Sequence, residues 1–428
     1  MKIVRKALKV AAFTVGTVLV VLAGLLVYAS VFWDAPVDRP VRQFVAPRDS
    51  AAVARGRFLY TSSLTCWQCH SQGNSATAPP SGGRVFDLTG ISPSLGMYYS
   101  ANITQDVETG IGGWTDAEII RAIREGVRKD GKVLFPIMPV DPLNGLSDDD
   151  VLALVAYLRS IPPVHNAVPA RTPSLFARTL MTLGVIGPAQ PLPQAVVAPP
   201  RAADRFYGEY IVRHAALCSD CHTPRNLNTG AFFYDSLLAG SSFCFGEDPP
   251  EPVLAFARNI TPDDETGIGT WTRDEFLRLM TTGVGPDGVV RSGHMPYSSY
   301  ASWDSLELNA VYEYIRSIPP IRRQESPDQF VREMASSDPE TKGKGIFVSY
   351  CQQCHGGEGQ GALPTHVVLA QVAPGLSDDE LADFISAGNP GLSMPGFGKT
   401  FSRNDLHAVV RYIRSWQRNT SGLTGPHP

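Results

Sequence analysis

The sequence predicts a mainly α-helical chain: one N-terminal membrane-spanning helix followed by three small helical domains, each folded around a covalently held prosthetic group. Three observations predict it. An uncharged run from Val10 to Trp33 follows Lys2, Arg5, Lys6 and Lys9, and as a helix it can cross a hydrocarbon core of about 30 Å. The pattern Cys-x-x-Cys-His occurs three times, at Cys66-Trp67-Gln68-Cys69-His70, Cys218-Ser219-Asp220-Cys221-His222 and Cys351-Gln352-Gln353-Cys354-His355. Finally, the stretch from Asn102 to Pro163 reappears without a gap from Asn259 to Pro320, which signals duplication of one fold.

Each Cys-x-x-Cys-His reads as an attachment site for haem c. The chemistry needs two thiols about one helical turn apart to form thioethers to one porphyrin, and an imidazole next to them to reach the iron. Three motifs imply three covalently bound haem c groups, held by Cys66, Cys69, Cys218, Cys221, Cys351 and Cys354 with His70, His222 and His355 as proximal iron ligands. A structural zinc site needs no histidine after every pair. A thioredoxin-like dithiol sits at a strand-to-helix junction, and no such pattern surrounds these cysteines. Cys244 is left over and suits a small buried hydrophobe.

The chain has 428 residues and a net charge of −4, so nothing in its overall charge suggests nucleic acid, whose binders carry clustered basic patches. With 35 Pro and 39 Gly, long irregular connections are expected and strand patterns are sparse. The basic flank before the apolar run, with Asp34 and Asp38 after it, puts the N-terminus in the cytoplasm and the rest outside. The alternative is a cleaved signal peptide ending at Val27-Tyr28-Ala29, against which the apolar run is long. Either way the chain is exported.

Past residues 1–33, the predicted anchor, a Pro-rich tether runs from Pro36 to Arg48. The first domain is placed at 51–163, a Pro-rich linker at 164–202, the second domain at 203–320 and the third at 340–418. A helical pattern leads into each motif, with Gly56 and Gly208 both ten residues before the first cysteine and Gly343 in the shorter third copy; helix packing is the expected role of these glycines. Amphipathic helices close the domains at Ser147 to Ser160, Asp304 to Ser317 and Ser402 to Trp416, each opening on a capping residue. In the linker, the apolar patch Leu175 to Ile186 reads either as a segment pressed onto the neighbouring domain or as an interfacial helix touching the bilayer. Phe232 to Phe256, with Cys244, reads as a loop elaboration.

A soft thioether on the distal side of a His-ligated haem closes the iron and makes the site an electron carrier. Met138 and Met295 fall in register in the repeat, and each precedes Pro in a Gly/Pro-rich loop; in the third domain Met394-Pro395 stands 39 residues after His355. These three are the expected distal ligands. Met97 is the rival of Met138, and His294 that of Met295. Trp114 and Trp271, also in register, read as core aromatics or as packing against a propionate. His165, His214, His366, His407 and His427 have no spacing that suggests catalysis, and no catalytic residue is assigned.

Together the three motifs, the repeated Asn-Ile-Thr…Thr-Gly-Ile-Gly-x-Trp signature, the Met-Pro pairs and Cys-His-Thr-Pro-Arg-Asn at Cys221 to Asn226 resemble the trihaem cytochrome c subunit of membrane-bound periplasmic dehydrogenases acting on alcohols, gluconate, sorbitol, fructose or aldehydes. The likeness covers Ala51 to Ser415. It implies three class I cytochrome c domains facing the periplasm from the bacterial inner membrane. It also implies a large dehydrogenase partner of quinoprotein, flavoprotein or molybdenum type, and electron delivery to ubiquinone or a terminal oxidase. Two alternatives differ in class: a connector to a terminal oxidase or photosynthetic reaction centre with no dehydrogenase, and a haem enzyme such as a peroxidase, which would need an iron without a distal ligand.

Overall fold

Helix capping and glycine close approach set the architecture of this computed structural model, which describes residues 2–71, 75–89, 94–191, 195–226, 229–241, 257–291, 295–323, 338–351, 355, 359, 369, 375–389, 391 and 394–420. Cys354, Cys244, His294, His366 and His427 lie outside the described residues. Helix α1 is Lys2–Phe32, and Lys9–Phe32 within it is long and apolar enough to cross a membrane.

The motif-leading helices are α2 (Ser50–Phe58), α8 (Arg205–Tyr210) and α13 (Pro339–Tyr350), capped by the Asp49, Asp204 and Asp338 carboxylates. Between the first two lie α3 (Trp67–His70), α4 (Asp116–Glu125), α5 (Val140–Asn144), α6 (Asp148–Ser160) and α7 (Leu175–Thr182). After α8 come α9 (Cys218–His222), α10 (Arg273–Thr282), α11 (Tyr297–Tyr300) and α12 (Ser305–Ser317). Beyond α13 are α14 (Asp378–Ala387) and α15 (Arg403–Thr420).

Each motif-leading helix packs against a closing helix: α2 on α6, α8 on α12 and α13 on α15. The glycines make the contact possible. A Cβ on Gly56 would stand 1.9 Å from the Ala153 carbonyl oxygen, one on Gly208 1.9 Å from that of Ala310, and one on Gly343 2.0 Å from that of Ala408. The expected packing role of these glycines is therefore what the structure contains. Helices α4 and α10 begin in the same capping box, Thr115 with Glu118 and Thr272 with Glu275, where side chain and backbone satisfy each other's orphan donors.

Not anticipated from the sequence is a small antiparallel sheet of β1 (Val85–Leu88), β2 (Gly96–Tyr99) and β3 (Thr172–Pro173), in the order β1-β2-β3. Its apolar face packs with α7 into a separate cluster of Phe86, Leu88, Tyr98, Phe135, Ala177 and Ile186. The stretch placed as a linker thus carries a strand and a helix of its own.

The first two repeats share one continuous core, with Leu59, Val151 and Val155 from one and Val212, Val311 and Ile315 from the other. They meet through equivalent parts. Ser63 donates to the Ala215 carbonyl at 2.6 Å, and each of these residues stands three before its first motif cysteine. The His214 ring bonds the Pro142 carbonyl at 2.8 Å. At the matching place in the other half, Ser299 and Trp303 donate to the Thr61 and Ser62 carbonyls at 3.2 and 2.9 Å. The arrangement is that of an isologous two-fold interface folded into one chain. On its flank Tyr210 donates to Asp150 at 2.6 Å, and Arg55 clasps Asp150 through two nitrogens at 2.8 and 3.0 Å. The third unit joins the second through Val290, whose side chain enters the cluster of Phe347, Phe397 and Ile413 and whose N–H donates to Thr400 at 3.0 Å.

Asp116 ties the tether to the first repeat. Burial pushes its carboxyl up, but the Ala46 N–H at 2.9 Å, the Arg159 guanidinium at 2.8 Å and Arg48 outweigh this and hold it below the usual carboxylate range. Its stabilisation is therefore complete above the unfolded value of about 3.9 and is lost as pH falls through the lower folded value. Asp116→Asn is expected to lower the melting temperature at pH 7, with the gap to the unaltered protein closing as pH falls below about 4. A gap independent of pH in thermal melts from pH 3 to 7 would show that the charge contributes nothing.

Candidate haem sites

Both of the first two motifs are approached through the same distortion. Helices α2 and α8 each widen into a π-helical turn, Leu59–Ser63 and Ile211–Ala215, a feature concentrated at functional sites. The residue directly before the first cysteine then adopts left-handed backbone, Thr65 with φ 47° and Leu217 with φ 56°. For residues with a Cβ this conformation is sparsely populated and persists only where packing over-determines it. The chain so turned starts the short helices α3, with Cys66 at its N-cap and Cys69 within it, and α9, which holds Cys218 and Cys221; in both the two cysteines are three residues apart and face the same side.

The histidine that ends each of these two motifs is oriented by a backbone carbonyl. His70 Nδ1 lies 2.8 Å from the Ala101 oxygen and His222 Nδ1 2.7 Å from the Arg258 oxygen. A carbonyl only accepts, so Nδ1 carries the proton and Nε2 keeps its lone pair, the tautomer an axial iron ligand needs. Burial lowers the proton affinity of both rings, partly offset by these hydrogen bonds, and keeps them neutral. Burial likewise pushes the Cys66 and Cys218 thiols up to about 12.

The carbonyls of residues 101 and 258 were not singled out from the sequence, although a signal for them existed. Each immediately precedes the repeated Asn-Ile-Thr. Asn102 donates through Nδ2 to Thr109 and to the Val164 carbonyl at 3.0 and 2.8 Å and accepts from Thr104. Asn259 does the same with Thr266, Ile321 and Thr261 at 2.9, 2.7 and 2.9 Å. The signature is a clamp that fixes the carbonyl facing the histidine, a second layer that orients a metal ligand.

Met138 and Met295 adopt matching backbone. The Val140 N–H reaches back to the Met138 carbonyl at 2.7 Å, and the Tyr297 N–H to that of Met295 at 2.8 Å. In both, the intervening proline has φ near −77° and ψ 61°, an inverse γ-turn for which the ring presets φ. Met97, by contrast, stands on β2 and its sulfur accepts from the Tyr99 hydroxyl at 2.9 Å.

These groups surround one apolar cavity of about 1820 Å³, lined by Cys66, Cys69, His70 and Met138 of the first repeat and by Cys218, Cys221, His222 and Met295 of the second. Trp114 and Trp271 line it too, as do Tyr350 and Phe401 of the third unit. In that unit Cys351 and Met394 lie against the cluster of Phe347 and Phe397, and Met394 pairs with Asn389 across a short bridge. The remaining described histidines are His165 beside Asp106, His407 beside Asp379 and the interfacial His214. Among the described residues no cluster of three His, Cys, Asp or Glu side chains could hold a bare metal ion. The donor set of each of the first two sites, paired thiols, a neutral imidazole with a set tautomer and a thioether around a large apolar space, fits a covalently attached haem.

Residues 53–162 match the family described as cytochrome c, and residues 338–413 match that described as cytochrome c oxidase, cbb3-type, subunit III. Over 398 residues the chain is 27% identical to the cytochrome c subunit of the quinone alcohol dehydrogenase of Gluconobacter oxydans, covering 87% of this chain and 80% of that one. It is 28% identical to the cytochrome c subunit of the gluconate 2-dehydrogenase of Pantoea cypripedii, covering 86% of each. The chain is a homologue of dehydrogenase cytochrome c subunits. Its cytochrome c domains imply covalently bound haem c, and electron transfer as the role of the haem. To a nicotinate dehydrogenase subunit of Pseudomonas putida it is 30% identical, but the chain spans about a third (32%) of that relative. A cytochrome c subunit homologue of this kind accounts for the paired motifs, the neutral histidines and the apolar cavity together.

Proposed function

We propose that this protein is a membrane-anchored electron carrier of three class I cytochrome c domains, at 51–163, 203–320 and 340–418, passing electrons from a large dehydrogenase subunit to ubiquinone or a terminal oxidase. The observation that carries the reading is the cavity shared by the first two sites, where paired thiols, neutral imidazoles and thioethers meet across apolar space. Cys66 with Cys69, Cys218 with Cys221 and Cys351 with Cys354 would hold three haems through thioethers, and His70, His222 and His355 together with Met138, Met295 and Met394 would ligate the irons. Bound haem supplies a one-electron ferric/ferrous couple. The chain's own part is positional. The 101 and 258 carbonyls keep the histidines turned, burial keeps them neutral, the methionine sulfurs would complete the ligand set, and the apolar walls exclude water so that little rearranges when charge changes. No side chain is assigned acid-base or nucleophilic work.

Helix α1 would anchor the chain to the inner membrane by a single span, with its basic start in the cytoplasm and the haem domains in the periplasm. The partner is proposed to be a quinoprotein, flavoprotein or molybdenum dehydrogenase, a reading supported by relatives named as cytochrome c subunits of alcohol and gluconate dehydrogenases.

The test is gentle detergent extraction of the native membrane complex. Three irons per chain and a co-purifying large subunit with its own redox cofactor are expected. Two irons per chain would remove the third site, and oxidase or photosynthetic subunits in place of a dehydrogenase would remove the partner assignment.

A further inference from the structure

Helix α7 and the turn after it lie against α1, where the chain leaves the apolar span. Helix α1 packs on α7. Along α1, Leu25 is half-buried, Ala29 is fully buried and Trp33 is half-buried, while Val21, Leu22, Leu26 and Val27 are open. Residues four apart share a helix face, so 25, 29 and 33 form one stripe. The contact therefore runs back from Trp33 over about two turns, roughly 12 Å at 1.5 Å per residue. At the upper end the Trp33 ring carries the guanidinium groups of Arg171 and Arg178 at 5.1 and 5.3 Å. Asp34 pairs with Arg171 and, at 3.0 Å, with Lys132.

An element packed against the last two turns of a membrane span sits at the depth of those turns. The inner side of α7 is spoken for, since Ala177, Leu180, Met181 and Ile186 pack with the small sheet. The other side of α7 exposes Leu175 at 46% and Phe176 at 37%, and the turn after it exposes Leu183 at 56% and Val185 at 49%. Four large apolar side chains open to water beside a span, with arginines and a tryptophan at the upper border, form the pattern of a helix seated in the boundary between headgroups and acyl chains.

We infer that Leu175 to Val185 is a second membrane contact: it lies in the plane of the outer leaflet and inserts Leu175, Phe176, Leu183 and Val185 into the lipid beside α1. The inference rests on the proposed anchor. It gives the first domain a fixed face toward the bilayer, because a span and an in-plane helix together remove the swivel that a lone span allows.

The full-length holoprotein in phosphatidylcholine/phosphatidylglycerol nanodiscs, in a Cys244→Ser background, carries a nitroxide at Phe176→Cys, Leu183→Cys or Val185→Cys. Controls are Val21→Cys in α1 and Val107→Cys, which is 76% exposed. Electron paramagnetic resonance compares collisions with oxygen, which concentrates in lipid, and with a water-soluble nickel complex. The expected oxygen-to-nickel ratio at 176, 183 and 185 exceeds that at 107 several-fold and falls with that at 21. Ratios at 183 and 185 equal to that at 107, with 21 in lipid, overturn the inference and leave the anchor standing. A water-like ratio at 21 overturns the anchor and the inference with it. Weak collisions with both reagents at 183 and 185 overturn the inference in favour of a protein covering this face.

Discussion

Met138→Ala is expected to leave one iron of the holoprotein open on its distal side, so that the reduced protein binds one carbon monoxide per chain where the unaltered protein binds none. The sulfur-to-iron absorption of one haem should disappear while total haem per chain stays the same. The same outcome is expected for Met295→Ala, because the two methionines share an inverse γ-turn and line one cavity. Met97→Ala serves as the control: its sulfur is engaged by Tyr99 on β2, and no iron should open. Loss of a thioether ligand also lowers the potential of the affected haem, since the soft sulfur favours the ferrous state. Carbon monoxide resistance retained in Met138→Ala with a full haem complement would remove Met138 from the ligand set.

The second large effect is on stability. Gly56→Val and Gly208→Val each place a branched side chain where even a Cβ would meet a backbone carbonyl oxygen at 1.9 Å. A carbonyl inside a helix cannot step aside, so the two helices must separate, and the cost belongs at or above the upper end of overpacking, about 3 kcal/mol. Folding of the apoprotein and haem loading should fall together, read as a lower melting temperature and a lower ratio of haem to chain. Gly345→Ala is the contrast. Gly345 is on α13 with nothing within 4 Å of its Cβ direction, and alanine there should be neutral or stabilising by about 0.5–1 kcal/mol. A melting temperature in Gly56→Val as high as in Gly345→Ala would show that the close helix crossing is not what position 56 protects.

Much of this was legible in the sequence because the covalent chemistry forces it. Cys66, Cys69 and His70 are fixed in spacing by the group they suit, and the shared distance from Gly56 to Cys66 and from Gly208 to Cys218 reports a helix crossing that tolerates no side chain. The shared turn at Met138 and Met295 was foreshadowed by their register in the repeat. The role of Asn-Ile-Thr was not: the repeat marked the place, but only the structure connects Asn102 through the 101 carbonyl to His70. The small sheet escaped because β1 and β2 have four residues each and β3 only two, too few for an alternation to register. Its third strand also comes from more than seventy residues further along the chain. The docking of the two repeats left no local trace either, since Ser63 and Ala215 are 152 residues apart and neither belongs to a motif.

That contact between Ser63 and Ala215 bears on ancestry. Two positions equivalent by the repeat that touch each other lie where a two-fold axis would pass, as in a homodimer. The simplest history is a single-domain ancestor that associated with its own copy, followed by fusion of the two genes with the interface kept. Fusion released the halves from having to be identical. Position 55 is now Arg and its counterpart Tyr207, and Asp150 faces its counterpart Glu307 through Arg55. Such divergence lets two once-identical redox centres acquire different potentials, giving a direction to traffic that in a symmetric ancestor could have had none.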